Sequence, residues 1–518
     1  MRHEIAFVAL FVVATAVAIL ARHVKIPYTV ALVAAGLGLG STGLMSAPHL
    51  TKELLYTVFL PGLIFEAAYA LEYRRFMQNK WTILSLALPG LVVSVGVTAA
   101  LLTPAMSGLH VATGFGFLSA LVFASVIAAT DPIAVVSLFK SLGAPKRLSV
   151  LVEGESLLND GTAAVFFLIV IDVATGTTLS VPGAALSFVR TVGLGLCIGA
   201  AVGLACTFVI QKIDDPMIEI TVTTIAAYGS FVAAEYFHLS GVIATVAAGM
   251  LCGNYASRTG MSPSTRLAVS TFWEYLAFAL NSIVFLLIGF EVRLAALLAS
   301  LWPIVVAYVV VLLGRAIVVY VAAGLLGRTR ERVPGRWAAV LTWGGLRGGL
   351  SMVLVLGLPP GMPHRELLVT MTFGVVVLSI MVQGTTMGPL LRWLGLVKHS
   401  EERATYDRLR GQLVASQAGL REVTRLQSDR VAAPAVLGAI REDLEKQLAS
   451  TVEALQGVST QASWLLEDER RGVLRATYVA QKDALADAMR RGRLLPESYE
   501  GLLADVDAKL QGLEEDDT

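Results

Sequence analysis

The chain has 518 residues, 55% of them hydrophobic and only 15% charged, with a formal net charge of +1. A mean hydropathy of +0.70, with apolar runs of about 18 residues or more along most of the length, excludes an ordinary soluble domain and describes a polytopic membrane protein. The near-neutral balance says little about partners; the placement of the charges says more.

The first apolar run, Ile5 to Leu20, lacks a strongly basic leader and a clear small-residue cleavage site, so it reads as a helix and not as a signal peptide. Runs separated by Pro, Gly and charged clusters then give about thirteen candidate spans of roughly 20 residues. Their limits are near 4–21, 25–43, 51–71, 81–103, 113–141, 147–174, 184–212, 217–237, 239–255, 264–291, 300–327, 335–358 and 366–396. Alternate loops carry Arg22 and Lys25; Arg74, Arg75 and Lys80; Lys140, Lys146 and Arg147; Lys212; Arg258 and Arg266; then Arg328, Arg330, Arg332 and Arg336. The opposite loops offer little beyond Lys52, Arg293 and Arg365. Cytoplasmic loops carry the Lys and Arg excess, so the N-terminus is expected outside and the C-terminus in the cytoplasm of a plasma (inner) membrane protein. Cys197, Cys206 and Cys252 fall inside expected helices, which implies buried apolar roles and no disulfide framework.

After about Lys398 the pattern becomes soluble and charged, dividing the chain into a membrane part, 1–398, and a small helical cytoplasmic part, 399–518. In the latter, Leu409, Leu413, Leu420 and Val423 recur at helical spacing, as do Leu437, Ile440, Leu444, Leu448 and Leu455, with Pro434 between the sets. A further helical group begins near Ser463 and is interrupted at Pro496. Nothing catalytic stands in this tail. It reads as a helical unit that packs on itself or on a second copy, or as a regulator of the membrane part.

The sixth span opens with GESLLNDG, Gly154 to Gly161. Residues four apart share a helix face, so Glu155 stacks with Asn159 and Ser156 with Asp160, which reads as one polar stripe with two carboxylates. An ionisable group at membrane depth costs about 2.5–3.5 kcal/mol on insertion scales and is usually partnered or lines an ion pathway. A buried structural polar cluster is the alternative reading.

The fifth span contains ATDPIAV, Ala129 to Val135. Proline has no N–H to donate and disfavours helix in the residue before it, so Asp131 and Pro132 mark a break in mid-span. Open backbone inside a membrane is tolerated where protein or a water-filled cavity satisfies it, which puts Thr130 and Asp131 in such a place; a Pro kink with a local Asp cap is the plainer account. The twelfth span contains LTWGGLRGGLSM, Leu341 to Met352, in which four glycines flank Arg347. Gly pairs alone signal close helix packing, but a buried Arg among them does not. Two interrupted spans, one in each half of the chain, point to an inverted-repeat transporter with its site at the midplane. Arg315, in the eleventh span, cannot shed its proton and needs a carboxylate, for which Glu155 is the candidate. Glu66, in LPGLIFEAAYAL of the third span, is either near the ion site or its access path, or an interfacial carboxylate.

Taken together, LPGLIFEAAYAL, ATDPIAV, GESLLNDG, GRAIVV and GGLRGGLS resemble the monovalent cation:proton antiporters of the NhaP and NHE sodium/proton exchanger type, from roughly Ile5 to Leu396 and in the family's order and spacing. The resemblance implies a homodimer of thirteen-span subunits, each with a dimerisation domain and a moving core in which the fifth and twelfth spans cross as broken helices. It implies that Asp160 binds either the cation or the proton, that Thr130 and Ser156 supply oxygen ligands, and that Asn159, standing where electrogenic relatives have a second Asp, marks an electroneutral one-for-one exchange. It further implies that Asp131 and Arg347 compensate helix ends at the crossing, that Glu155 and Arg315 form a structural ion pair, and that Asn159, Asp131 and Glu66 belong with Asp160, Ser156 and Thr130 to the cation- and proton-binding site.

The residue chemistry agrees. A hard monovalent cation takes carboxylate, hydroxyl, carbonyl and water oxygens, and burial disfavours a bare carboxylate, so a proton and a cation compete for it. Na+ is the expected cation, with K+ and Li+ open, serving pH and sodium homeostasis. No enzyme activity and no cofactor beyond the transported ions is expected, nor is nucleic acid or nucleotide: Gly38, Gly40 and Gly43 fit GxGxxG but end a membrane helix and do not follow a strand. A cation channel or a sodium-coupled symporter are the competing functions; the first lacks a visible selectivity filter, and the second needs a roomier organic-substrate site.

Overall fold

The computed structural model describes residues 2–24, 27–42, 52–108, 114–176, 180–257, 260–291, 294–329, 331–397, 400–429 and 433–461, with shorter stretches between 470 and 509. Lys25, Arg258, Arg293, Arg330 and Gly43, and most of the helical group expected from Ser463 through Pro496, lie outside the described residues. Two compact units divide between Val397 and Lys398.

The first unit is all helix among its described residues. Its main elements are α1 Arg2–Val24, α2 Tyr28–Thr42, α3 Leu60–Ala70, α4 Leu91–Gly108, α5 Phe117–Val126, α6 Ile133–Leu142, α7 Lys146–Ala174, α8 Val181–Ile210, α9 Pro216–Tyr236, α10 Gly241–Leu251, α11 Pro263–Glu291, α12 Leu301–Leu325, α13 Gly335–Trp343, α14 Gly349–Leu356 and α15 Arg365–Trp393. Among the described residues seven helical segments are long and apolar enough to cross a bilayer, and shorter apolar helices accompany them. Large apolar side chains such as Leu186, Val232, Leu298 and Leu325 stand on the outside, as expected of surfaces that meet lipid tails. Cys206 and Cys252 are buried, but Cys197 is exposed on α8, against the expectation for all three. Its position between Leu194, Leu196 and Leu204, also exposed, puts it on that helix's outward stripe.

Among the described residues three spans carry π-helical turns that the spacing of apolar residues did not announce: Leu55–Phe59 leading into α3, Leu86–Gly90 leading into α4, and Cys252–Ala256 after α10. Pro89 explains the second, because its missing N–H and its ring both disturb the α-helical ladder. Glycines let α2 and α11 pack closely: a Cβ on Gly36 of α2 would lie 2.2 Å from the carbonyl oxygen of Leu286 on α11, and one on Gly289 2.3 Å from that of Val33. Of the glycines that mimic a nucleotide motif, Gly40 packs on the same neighbour, a Cβ there lying 2.9 Å from the Phe290 carbonyl oxygen, while Gly38 has open space beside it.

The breaks that position the site are where the sequence put them. The fifth span stops at Val126 and resumes at Ile133; the twelfth stops at Trp343 and resumes at Gly349.

In the second unit, α16 Ser400–Ser428 and α17 Pro434–Gln461 pair as a hairpin. Val423 and Leu437 are buried between them, and Gly419 lies close against Leu444. Ile440 departs from the expected apolar stripe, being 46% exposed.

Candidate functional site

The two interruptions meet. The backbone N–H of Asp131 donates to the carbonyl of Leu346 at 2.8 Å, tying one open segment to the other. Each break leaves helix-end groups without intrahelical partners, and a charged side chain answers them on each side. Arg347, 5% exposed, donates through Nη1 to the carbonyls of Ala128 (2.8 Å) and Ala129 (3.2 Å), just past the C-terminal end of α5. Asp131 accepts the N–H of Ile133 at the start of α6 (3.0 Å), and its carboxylate lies against Gly348 at the start of α14. A negative charge therefore stands at helix N-termini and a positive one at a C-terminal end, the favourable sense for both dipoles. Two of the glycines around Arg347 are sterically required: a Cβ on Gly345 would lie 2.2 Å from Arg315 Nε, and one on Gly348 2.3 Å from Asp131 Oδ2.

Against this crossing runs α7, and here the expected single stripe separates into two faces. Neighbouring helix positions are turned by about 100°, so Ser156 and Asp160 open on one side and Glu155 and Asn159 on another. The first side lines a cavity of about 410 Å3 together with Thr130, Asp131, Glu66 and Tyr28. The Ser156 hydroxyl donates to the Thr130 carbonyl, which leaves its two lone pairs free to accept or to ligate. Glu66 of α3 also lines this cavity. The cavity wall offers carboxylates, hydroxyls and open backbone beside Asp160, and such oxygens suit a hard cation and not a soft one.

On the other face Glu155, 3% exposed, takes a two-pronged bond from Arg315: Nη1 to Oε1 at 2.9 Å and Nη2 to Oε2 at 2.8 Å. Arg315 Nε also donates to the Leu341 carbonyl at 3.0 Å, so the pair braces α7, α12 and α13. Asn159 does not line the large cavity. Its Nδ2 donates to the Ala128 carbonyl and to Thr130 Oγ1, both at 3.1 Å, so it reaches the Thr130 hydroxyl from behind.

Several cavity residues escaped the sequence reading. Glu153 shares the face of Ser156, Leu157 and Asp160 at the spacing i, i+3, i+4, i+7 and was legible by that rule. Lys140 reads as a loop cation, but it lies in the last turn of α6 and lines the cavity. Glu274 and Asn281 lie seven apart on α11, and their common face shows only once α11 packs beside α3 and α14.

A helical membrane unit with two interrupted helices crossing beside a buried carboxylate is the architecture of a secondary ion transporter. Residues 8–393 match the family described as "Sodium/hydrogen exchanger, transmembrane", and the chain belongs to that family. It is 34% identical over 479 residues to the Na(+)/H(+) antiporter ApNhaP of Aphanothece halophytica, covering 91% of this chain and 89% of that one. It is 37% identical over 350 residues to the Na(+)/H(+) antiporter NhaP of Pseudomonas aeruginosa, covering 66% of this chain and 81% of that one. The solved sodium proton antiporter MjNhaP1 of Methanocaldococcus jannaschii superposes with a TM-score of 0.62 over 76% of this chain and 100% of that one; at 16% identity this is a likeness of fold. The chain is thus a multi-pass membrane protein of a transporter family.

Proposed function

We propose that the chain is a secondary antiporter that exchanges a monovalent cation, Na+ in the first place, for H+ by alternating access. The observation that carries this reading is Asp160, standing in a large cavity beside Ser156 and beside the open backbone of Thr130 and Asp131. A carboxylate in such a place is neutralised either by a proton or by a cation. If the site holds one of the two at a time and the unloaded carrier does not change sides, exchange follows. Thr130 and Ser156 would supply further oxygens, with Glu66 on the approach. Asp131 and Arg347 would hold the broken helix ends, and Glu155 with Arg315 would brace the moving part. Asn159, being uncharged, supports exchange of one cation for one proton without net charge movement.

The same reading takes the protein to be a homodimer in the plasma membrane, with its N-terminus outside and its C-terminus in the cytoplasm. The ions are its only cargo, with no separate cofactor. Everted vesicles carrying a fluorescent pH-gradient probe test it. Adding Na+ should dissipate an acid-inside gradient, and Asp160→Asn should abolish that response. Lower pH should raise the apparent KM for Na+ without lowering the maximal rate, the sign expected of competition at one carboxylate. Na+ flux that persists in Asp160→Asn, or that is uncoupled from protons, would sink the proposal.

A further inference from the structure

Behind the crossing lie two small cavities of about 20 and 10 Å3, the larger on the face of α7 that carries Glu155 and Asn159 and the smaller beyond it among α12, α15 and the open segment around Arg347. Arg315 and Arg347 stand in the walls of both. Asn159, Glu155 and Ser94 line the larger; Tyr308, Ser379 and Gln383 line the smaller. Each has room for about one water molecule, the smaller only just.

Three buried polar atoms on these walls have no hydrogen-bond partner among the described residues: Asn159 Oδ1, the Tyr308 hydroxyl and Gln383 Oε1. Leaving such an atom unsatisfied costs about 1–3 kcal/mol, and ordered water is what usually meets that need. Turning the Asn159 amide over gives no relief. Its Nδ2 faces the Ala128 carbonyl, which can only accept, so Oδ1 is fixed on the side away from it. The two guanidinium groups on the walls, one of them ion-paired to Glu155, make the space polar and unsuited to staying dry.

We propose that these two cavities are built water sites. One water donates to Asn159 Oδ1 in the larger cavity. In the smaller, a second water accepts from the Tyr308 hydroxyl and donates to Gln383 Oε1. Arg315 and Arg347 form the partition between them, each able to donate to either water. The ion-paired group behind the crossing is then hydrated, which offsets part of the desolvation cost of burying two guanidinium groups and a carboxylate. The amide of Asn159 is also held from both ends, with its Nδ2 directed at the Thr130 hydroxyl at the edge of the large cavity. None of this depends on which ions are exchanged.

The test is a cryo-EM map of the full-length protein in lipid nanodiscs, at a resolution that shows buried water elsewhere in the molecule. One density is expected in each cavity, about 2.7–3.2 Å from the atoms named. Empty cavities in such a map overturn the assignment. So does density that vanishes when Na+ is replaced by N-methylglucamine, since that marks an ion. In the double variant Gln383→Leu/Tyr308→Phe the density in the smaller cavity should disappear while the one beside Asn159 remains; persistence of the former shows that these side chains are not its ligands.

Discussion

Asp131 and Leu346 lie 215 positions apart in the chain, yet the N–H of one donates to the carbonyl of the other at 2.8 Å. That bond joins two stretches of backbone that have left the helical ladder inside a membrane. Neither stretch could stay open alone, because open backbone groups in the bilayer core must find partners. Each break is thus part of the reason the other is stable.

Removing Arg347 should be felt as lost stability first. Arg347→Ala leaves the carbonyls of Ala128 and Ala129 without their charged donor and should cost roughly 3 kcal/mol. Thermal unfolding in detergent reads this directly; Arg347→Lys should recover only part, since a single ammonium cannot reproduce the planar guanidinium's fixed geometry. An unchanged melting temperature in Arg347→Ala would show that the carbonyls find other donors.

The Glu155 and Arg315 pair should behave as one unit. Glu155→Gln and Arg315→Gln each strand a buried charge and should each lose about 3–5 kcal/mol. The double variant should lose clearly less than the two together, and a double-mutant cycle on unfolding free energies measures the difference. Strict additivity would mean the 2.8–2.9 Å contacts contribute nothing.

Glycine replacements should separate by position. Gly345→Ala and Gly348→Ala push a methyl into Arg315 and Asp131, whereas Gly361 has open space within 4 Å. The first two should abolish folded protein or transport, and Gly361→Ala should match the parent in size-exclusion yield and in exchange. Normal exchange by Gly348→Ala would mean that the Asp131 carboxylate moves aside at little cost.

Lys140 should tune cation entry. Its ammonium shares the cavity with Glu66, Glu153 and Glu274 and offsets part of their attraction for an incoming cation. Lys140→Gln should lower the apparent KM for Na+ roughly two- to fivefold at low ionic strength, less at high salt, with the maximal rate little changed. Glu153→Gln should move KM the other way. An unaltered KM in both variants would show that the cavity mouth plays no part in loading.

Much of this protein could be read before any fold was known. Apolar run length fixed the helical class, because a bilayer admits few other ways to satisfy a backbone. Pro132 and the glycines around Arg347 located both interruptions, since their effect on the ladder is local and chemical. The demand of Arg315 for a carboxylate was equally legible, since that group stays charged at any accessible pH.

What the tertiary structure decided was direction and company. Whether Glu155 and Asp160 serve one site or two depends on what packs against each face of α7, and the fold gives them different neighbours: Arg315 for the first, the large cavity for the second. Lys140 and Glu274 enter that cavity only because α6 and α11 are brought to it by contacts between residues far apart in the chain. Such long-range packing leaves no periodic trace in any one segment, so no reading of a single stretch could have recovered it.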